Sequence, residues 1–301
     1  MLVKTADLSK SQTSVSRVKD LAAFFKIRLS VIVVLSAVLG YFMAPGTGSW
    51  FDALILISGG LLLTGASNGF NQVWERDLDK LMSRTMNRPM PTQRMSVREG
   101  LITASIAGGG GLFLLWYFLN PLSGILGALA LFSYVCLYTP LKQHSGLAVF
   151  VGAFPGAIPP MLGYVAATGQ FGLEPGLLFA TQFMWQFPHF WAIAWVVDED
   201  YRKAGYKLLP FEGGRTKQSA FQIFLYALFL IPVSILPWAF PASAPMVGSV
   251  ALAVVLLCGL IFAALAWKLF RTCETKDAKI LMFASFIYLP IVQIFYVIDK
   301  L

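Results

Sequence analysis

Charged side chains are scarce in this sequence of 301 residues. Asp, Glu, Lys and Arg together make up 13% of the chain, whereas a soluble globular domain has about a quarter of its residues charged. Hydrophobic residues reach 57% and the mean hydropathy is +0.70. This shortage of charge excludes an ordinary soluble enzyme and predicts an integral membrane protein.

Cysteine is also scarce, and a cleavable leader is not expected. The three cysteines, Cys136, Cys258 and Cys273, show no spacing typical of a metal site, so we expect free thiols and no disulfide framework. Residues 1–22 are polar and basic and contain no apolar core followed by a cleavage site. They do not resemble a removable signal peptide.

Long apolar runs are what the chain has in abundance. A helix needs about 20 apolar residues to cross the hydrocarbon core, and lipid offers no hydrogen-bonding partner to a free backbone. We therefore expect an all-α bundle of nine transmembrane helices, forming one domain at 23–298 after a cytoplasmic segment at 1–22. The nine runs are 23–43, 51–73, 99–119, 122–139, 146–168, 174–197, 217–239, 245–269 and 280–298.

The basic residues follow the order of these runs. Of the 23 Lys and Arg, 22 lie before or at the start of the first run or in the loops after runs two, four, six and eight, and Lys300 is the exception. By the positive-inside rule the N-terminus and these loops are cytoplasmic and the C-terminus is outside. The net charge of +8 thus reflects topology and indicates no nucleic-acid partner. A bacterial inner membrane is the simplest location.

The main exception to the shortage of charge follows the second run, at 71–89. Asn71, Glu75 and Asp79 are spaced four residues apart, so on an α-helix they form one stripe about 12 Å long. We call these three residues the acidic stripe. Its oxygens suit a hard divalent cation, and Mg²⁺ fits best because it typically takes one or two carboxylates and leaves other positions to substrate phosphates.

Other charged residues surround the acidic stripe. Asp77 falls on the opposite side of the helix and is expected to be a less direct, substrate-binding or solvated residue. Arg84, Arg88 and Lys142 are expected to stabilise a departing diphosphate, because cationic side chains match phosphate oxygens. The cluster therefore predicts ionisation of a diphosphate at the membrane surface.

A second acidic triplet follows the sixth run, at Asp198, Glu199 and Asp200. It lies on the same side of the membrane as the acidic stripe, so we expect it to face the stripe across a cavity and to hold another ion. Asp200 and Glu199 are preferred as metal ligands over Asp198. The alternative is that both clusters only face water, as charged residues at span ends often do.

Four runs of residues resemble the UbiA-type intramembrane aromatic prenyltransferases, and within them the protohaem IX farnesyltransferase (haem O synthase) family. The first extends from Asn71 to Pro91, with the pattern N-x3-E-x-D-x-D-x2-M-x-RT-x2-RP-x-P. The other three are Tyr138-Thr-Pro-Leu-Lys142, Gly156-Ala-Ile-Pro-Pro160 leading to Gly163, and Trp185-x2-Pro188-His189-Phe190-Trp191-Ala192 leading to Asp200-Tyr201 and Leu209-Pro210. The second and fourth runs favour the haem branch over prenylation of a quinone.

The resemblance implies a reaction and its participants. Farnesyl diphosphate would lose diphosphate with the help of Mg²⁺ as cofactor, and the allylic cation would add to a vinyl group of haem B, which is a substrate, to give haem O. Haem A synthase and haem–copper oxidases would use the product. The resemblance and the matching positions suggest the following substrate-binding residues: Asp77, Trp74, Tyr138, His189, Trp191, Tyr201 and Arg202.

The resemblance implies a chemical role for two tryptophans and one histidine, and a quinone prenyltransferase and a transporter are the alternative functions. Trp74 and Trp191 would stabilise the cation through their π faces, and His189 would ligate haem iron or else form a hydrogen bond within the bundle. Asp198 and Lys207-Leu208-Leu209-Pro210 depart from the family pattern. A prenyltransferase acting on a quinone precursor would share the metal site, whereas a transporter would place charges near the bilayer midplane.

Overall fold

The computed structural model describes residues 16–46, 48–211, 213–240 and 244–301, and within these ranges the chain is helical with no β-strand. The expected all-α fold is therefore confirmed. Two helices, α5 and α6, contain a π-helical turn near the C-terminal end. The helices are α1 Ser16–Phe24, α2 Ile27–Met43, α3 Trp50–Trp74, α4 Arg76–Asp79, α5 Val97–Leu119, α6 Pro121–Leu141, α7 Ala148–Thr168, α8 Leu173–Val196, α9 Asp198–Lys203, α10 Lys217–Ala239, α11 Ser249–Thr272 and α12 Thr275–Ile298.

The helices are long and apolar enough for a multi-pass membrane protein. Within the described residues, seven helices can cross a membrane by length and composition, and α1 with α2, bent by 48°, forms an eighth if the pair is one span. Helix α8 has 24 residues but carries Gln182, Gln186 and His189 and is not among the seven. The count of nine spans and the side of the N-terminus stay predictions, and residues 1–15 of the expected cytoplasmic segment lie outside the described residues.

Helices α2 and α8 each pack against three other helices of the bundle. Helix α2 packs against α3, α7 and α12, while α8 packs against α7, α10 and α12. Helices α5, α6 and α11 pack around this centre, α5 against α3, α6 against α7, and α11 against α10 and α12. Helix α7 thus contacts both α3 and α8, which brings together segments far apart in sequence.

Helices α2 and α7 cross at two glycines. A Cβ atom on Gly40 would collide with the carbonyl of Pro160, and one on Gly163 would collide with the carbonyl of Ala37. Small residues allow such close approach of backbones in membrane bundles, where packing replaces the hydrophobic drive. This crossing fixes α7 against α2.

Two glutamine side chains of α8 satisfy the backbone of α7. Pro160 has no N–H to donate to the carbonyl of Gly156, and Gln182 Nε2 donates to that carbonyl instead at 2.6 Å. Gln186 Nε2 donates to the carbonyl of Ala153 at 2.9 Å. An unsatisfied backbone group costs several kcal/mol in lipid, so the polar residues of α8 help to hold the proline-containing helix.

Lys300, the basic residue that departs from the topological pattern, has a local structural role. Its Nζ donates to the carbonyls of Phe42 and Ala44 at 3.0 and 2.8 Å, at the C-terminal end of α2. A cation there satisfies free carbonyls and is favourable to the helix dipole. The C-terminus of the chain is thereby attached to the end of α2.

Candidate active site

The acidic stripe is present and continues the register of α3 beyond its last residue. The N–H of Glu75 donates to the carbonyl of Asn71 at 2.9 Å, and the N–H of Asp79 donates to the carbonyl of Glu75 at 2.8 Å. The two four-residue hydrogen bonds keep the three side chains on one face. Asn71, Glu75 and Asp79 are only 1%, 4% and 0% exposed, so the stripe lies inside the protein.

A cation is paired with each buried carboxylate. Lys142 Nζ, just after α6, lies 2.9 Å from Glu75 Oε1, and Arg88 Nη1 lies 2.8 Å from Asp79 Oδ2. Burying an isolated carboxylate costs far more than burying a paired one. The two pairs therefore explain how the acidic stripe can be buried at the end of an apolar helix.

The Glu75–Lys142 pair is charged on both sides. Burial raises the pKa of Glu75, but the charge of Lys142 and its hydrogen bond more than offset this, so the pKa of Glu75 lies below its usual value. Burial lowers the pKa of Lys142, but the charge of Glu75 raises it by more, so the pKa of Lys142 lies above its usual value. Each partner thus stabilises the ionised form of the other.

A third cation, Lys26, comes from the break between α1 and α2. Its Nζ donates to Asn71 Oδ1 at 3.2 Å, and its backbone is left-handed with φ of 47°. The break is held from α3, where Gln72 Nε2 donates to the carbonyls of Ala23 and Phe24 at 3.0 and 2.7 Å. A strained backbone of this kind is often retained where function requires it. The amine of Lys26 thus turns towards the acidic stripe.

The charges at the stripe are suited to an additional anion and to a metal ion. Three basic side chains, Lys26, Arg88 and Lys142, accompany two carboxylates, Glu75 and Asp79. Burial, and then the charges of Arg88 and Lys142, lower the pKa of Lys26 to about 7, and an added anion would favour its protonated form. Asp79 Oδ1 is buried and has no hydrogen-bond partner among the described residues. An amide and two carboxylates are hard oxygen donors that fit Mg²⁺. No group of three or more His, Cys, Asp or Glu with metal-site geometry occurs among the described residues, so ligand oxygens or water would complete the shell.

An apolar cavity of about 140 Å³ lies inside the bundle, and its nearest residue on α3, Asn68, is about one helical turn before Asn71. Asn68 and Tyr134 line the end near the stripe, and Leu56 and Leu115 line the far end. Leu56 and Asn68 are twelve residues apart on α3, which at 1.5 Å per residue is about 18 Å. Its lining suits an apolar chain, while its volume is about that of a cavity that binds benzene, so a longer chain requires the lining side chains to move apart.

The second acidic triplet contacts the segment that follows the stripe. Ser83 Oγ donates to both oxygens of Asp200 at 2.8 Å, the N–H of Arg84 donates at 3.3 Å, and Lys203 Nζ lies 3.1 Å away. Both acidic clusters therefore lie at the same end of the bundle. The Ser83 hydrogen bond, followed by those from Lys203 and the Arg84 N–H, lowers the pKa of Asp200 to about 2.

The other two acidic residues of the triplet are paired at the surface. Asp198 Oδ2 lies 2.8 Å from Arg202 Nε, and Glu199 Oε1 lies 3.2 Å from Arg215 Nη1. The side chain of Glu199 is 82% exposed. The expected second ion site consists of the carboxylates of Glu199 and Asp200, and each of them is already paired with a cation among the described residues.

Of four further expected residues, Tyr138 and Tyr201 lie close to the cations around the stripe, whereas Asp77 and Trp74 do not. Tyr138 places its ring 4.5 Å from Lys142 Nζ, and Tyr201 lies 5.9 Å from the guanidinium of Arg84. Asp77 is exposed and pairs with Lys80 at 2.7 Å, away from the stripe as expected. Trp74 is 59% exposed and does not line the cavity, so its position gives no support for the expected contact with a cation.

His189 and Trp191 lie in other parts of the bundle. The ring of His189 stacks on Trp185 with centroids 4.2 Å apart, and its Nδ1 shares a hydrogen bond with Ser285 Oγ at 2.7 Å. This is the hydrogen-bonded alternative considered for a histidine inside a bundle. Trp191 packs edge-on against Tyr226 at 4.9 Å and does not line the apolar cavity.

Sequence reasoning missed three residues near the stripe: Lys26, Tyr134 and Tyr206. Burial, and then the charges of Glu75 and Asp79, raise the pKa of Tyr206 far above its usual value. Its buried hydroxyl has no partner within the described part of the chain. For Lys26, the signal available was a charged residue at the same end as the stripe, in a chain with few charges. For the tyrosines there was no such signal.

Known proteins similar to this chain are prenyltransferases. Residues 33–288 match the model of the UbiA prenyltransferase family. A protein of Cytophaga hutchinsonii named protoheme IX farnesyltransferase is 46% identical over 283 residues, covering 93% of this chain and 98% of that protein. One of the same name from Christiangramia forsetii is 47% identical over 287 residues, covering 95% of each.

Solved structures share the fold at lower identity. A digeranylgeranylglyceryl phosphate synthase superposes with a TM-score of 0.77 at 16% identity, covering 94% of this chain and 98% of that one. A UbiA homologue from Archaeoglobus fulgidus, bound to GPP and Mg²⁺, superposes with a TM-score of 0.66 at 14% identity, covering 90% and 99%. At these identities the likeness establishes the fold.

Proposed function

The chain belongs to the UbiA prenyltransferase family, and on this premise we propose that it transfers the farnesyl group of farnesyl diphosphate to a vinyl group of protohaem IX, giving haem O and diphosphate. The relatives at 46% and 47% identity carry the name of that activity over nearly their whole length. The observation that carries the proposal is the buried acidic stripe, with three basic side chains around it, about one helical turn beyond an apolar cavity.

The diphosphate would bind where the positive charges are in excess. Lys26, Arg88 and Lys142 surround the stripe, and Arg84 lies nearby, with its N–H on Asp200. Cations aimed at the leaving group stabilise the charge that develops as the carbon–oxygen bond breaks. In a buried site this effect is larger than in water, because the effective dielectric constant is lower.

Mg²⁺ would be held by Asn71, Glu75 and Asp79, with Glu199 and Asp200 as a second acidic group. When bound, the ion would neutralise charge on the diphosphate oxygens and so favour their departure. The unpaired Asp79 Oδ1 and the Mg²⁺ in the Archaeoglobus fulgidus homologue support this assignment.

The farnesyl chain would occupy the apolar cavity, which also protects the reaction from water. Loss of diphosphate leaves an allylic cation, and its terminal carbon forms a bond with the terminal carbon of the haem vinyl group. Water then adds to the neighbouring carbon and releases a proton, which gives the hydroxyethylfarnesyl chain. Apolar walls slow premature capture of the first cation by water. The ring of Tyr134, which lines the cavity near the stripe, would stabilise that cation through its π face.

The cellular setting follows from the same proposal. The active site would lie on the cytoplasmic side of a bacterial inner membrane, within a single domain at 23–298. The distribution of Lys and Arg supports this orientation. Haem A synthase and the haem–copper oxidases would receive the product.

Expression in a host that lacks haem O tests the proposal. Haems are extracted from the membranes and analysed by mass, with labelled farnesyl diphosphate supplied. We expect a farnesylated haem that carries the label. Recovery of unmodified haem together with intact labelled farnesyl diphosphate would contradict the proposed function.

A further inference from the structure

A second and larger opening lies outside the site described above. It is a groove of about 710 Å³ between the start of α7, the end of α8, the start of α10, and residues 205–211 and 214. This volume falls within the range of about 300–1,000 Å³ typical of small-molecule sites. Its lining differs from that of the apolar cavity, because it combines aromatic rings with basic side chains. We call it the aromatic groove.

Four aromatic rings form the inner wall of the aromatic groove. Phe187 and Tyr226 have centroids 4.9 Å apart, and Trp191 and Tyr226 are also 4.9 Å apart. Phe150, which is 56% exposed, lies 6.1 Å from Phe187. Phe150 and Tyr226 expose ring surface at the groove, and Phe187 and Trp191, only 3% and 6% exposed, pack behind them. Exposed aromatic ring surface suits a flat apolar ligand. Trp191 Nε1 is buried without a partner among the described residues.

The outer rim is polar and basic. The exposed side chains of His144 and Lys207 line the groove on one side, and Arg202 lines it near Asp198. Arg202 pairs with Asp198 at 2.8 Å, whereas Lys207 forms no ion pair within the described residues. The rim thus offers an imidazole and an uncompensated ammonium next to the aromatic wall.

One tyrosine ring separates the aromatic groove from the acidic stripe. Tyr206 lines the groove, and its ring centroid lies 5.9 Å from Lys142 Nζ, which pairs with Glu75. The N–H of Lys207 donates to the carbonyl of Lys142 at 3.3 Å. A ligand in the groove is therefore held next to the site at which the diphosphate would leave.

We propose that the aromatic groove binds the haem acceptor, an inference that rests on the proposed function. A haem is flat and apolar, carries two carboxylates at one edge, and has an iron with axial positions for imidazole. The aromatic wall matches the ring, Lys207 matches a carboxylate, and His144 is the residue placed to ligate the iron. This assignment differs from the expectation for His189, whose ring is stacked on Trp185 and bonded to Ser285 within the bundle.

Haemin titration of the purified full-length protein in detergent tests this assignment. His144→Ala is expected to weaken haemin binding about tenfold and to change the Soret band, because the axial ligand is lost. Lys207→Glu is expected to weaken haemin binding about five- to tenfold, because a favourable contact with a haem carboxylate is replaced by a repulsive one. Both side chains are exposed, so the fold should tolerate the changes. Lys279→Glu, an exposed lysine outside the groove, is the matched control and should bind haemin as the unchanged protein does.

The affinity for farnesyl diphosphate, measured in the same samples, should stay unchanged in all three variants. Haemin binding that is unaltered in both groove variants would overturn the groove assignment even if farnesylated haem is still produced. If the groove variants lose affinity for phosphatidylglycerol vesicles and keep their affinity for haemin, the groove assignment is also overturned. The groove would then be assigned to a lipid headgroup. Groove-dependent haemin binding without any farnesylated haem would support the groove and contradict the proposed function.

Discussion

At the scale of single residues, Asp79 is the residue on which the proposed chemistry depends most. It is fully buried, one of its oxygens pairs with Arg88 at 2.8 Å, and the other is unpartnered within the described ranges. A buried carboxylate with a free oxygen is costly unless a ligand uses it. A cation bound at this oxygen, as proposed above, would satisfy it.

Asp79→Asn is expected to lower kcat by at least about 100-fold, because one charged group that stabilises the transition state is removed. The amide keeps the shape of the side chain, so the protein should remain folded in membranes. Asp52→Asn makes the same chemical change at the other end of α3 and should leave the rate unchanged. The measurement is single-turnover release of diphosphate. Equal rates for Asp79→Asn and the control would contradict the assigned role.

Lys142→Met is expected to lower the free energy of unfolding by about 3–5 kcal/mol, because Glu75 is left as an unpaired buried charge. Adding Glu75→Gln should recover part of this loss, so the two effects should be far from additive. Titration with SDS in mixed micelles gives the four free energies of the cycle. Additive effects would mean that the two side chains do not form a buried pair.

The stripe itself could be predicted from sequence, and its partners could not. The spacing of Asn71, Glu75 and Asp79 is a local property of a helix, and it reads directly from the chain. The pairing of Glu75 with Lys142, and of Asn71 with Lys26, joins residues 67 and 45 positions apart. Such contacts depend on how α2, α3 and α6 pack, which no local pattern specifies.

At the scale of helices, the crossing of α2 and α7 determines how closely the interior is packed. Gly163→Ala is expected to destabilise the protein by about 3 kcal/mol, at the upper end of overpacking effects, because the new methyl group would meet the backbone of Ala37 and Tyr41. Gly109→Ala is the control, since a Cβ atom there meets nothing within 4 Å. That change should be neutral or stabilise the protein by up to about 1 kcal/mol. Thermal unfolding in detergent compares the two, and similar midpoints would contradict the close crossing.

The contact between α9 and the segment after the stripe is expected to be insensitive to pH in the physiological range. The pKa of Asp200 is lowered from 3.8 to about 2, so its contribution to stability is fully present above about pH 4 and is lost as the pH falls through 2. Hydrogen exchange at Ser83 and Arg84, corrected for the intrinsic rate, should therefore be equally protected between about pH 5 and pH 9. Asp200→Asn should reduce this protection at every pH. Unchanged protection in the variant would show that Asp200 does not hold the segment.

The helices were largely predictable, because long apolar runs leave few alternatives in a membrane. The departures have physical causes. The first expected run, 23–43, is interrupted by the break at Lys26, which α3 stabilises through Gln72. Helix α8 carries glutamines that bond to α7, so its composition is less apolar than that of a lipid-facing span.

At the scale of the whole molecule, two openings of different chemistry lie on either side of one polar site. The apolar cavity is lined by α2, α3 and α7 and suits a prenyl chain, whereas the aromatic groove is lined by α7, α8 and α10 and suits a flat anionic acceptor. Asn68 of the cavity lies about one turn before Asn71 on α3, and the ring of Tyr206, which lines the groove, lies 5.9 Å from Lys142 Nζ. This arrangement would bring an electrophile and its acceptor together while most of the site stays shielded from water.

The most direct test of the central claim is a transfer assay with the purified protein, labelled farnesyl diphosphate and haem B, followed by mass analysis of the haem. The account predicts one farnesylated haem for each diphosphate released, with both products lost on chelation of Mg²⁺ and in Asp79→Asn. Transfer that continues at the same rate in the chelated sample and in Asp79→Asn, or haem that stays unmodified while diphosphate is released, would contradict it.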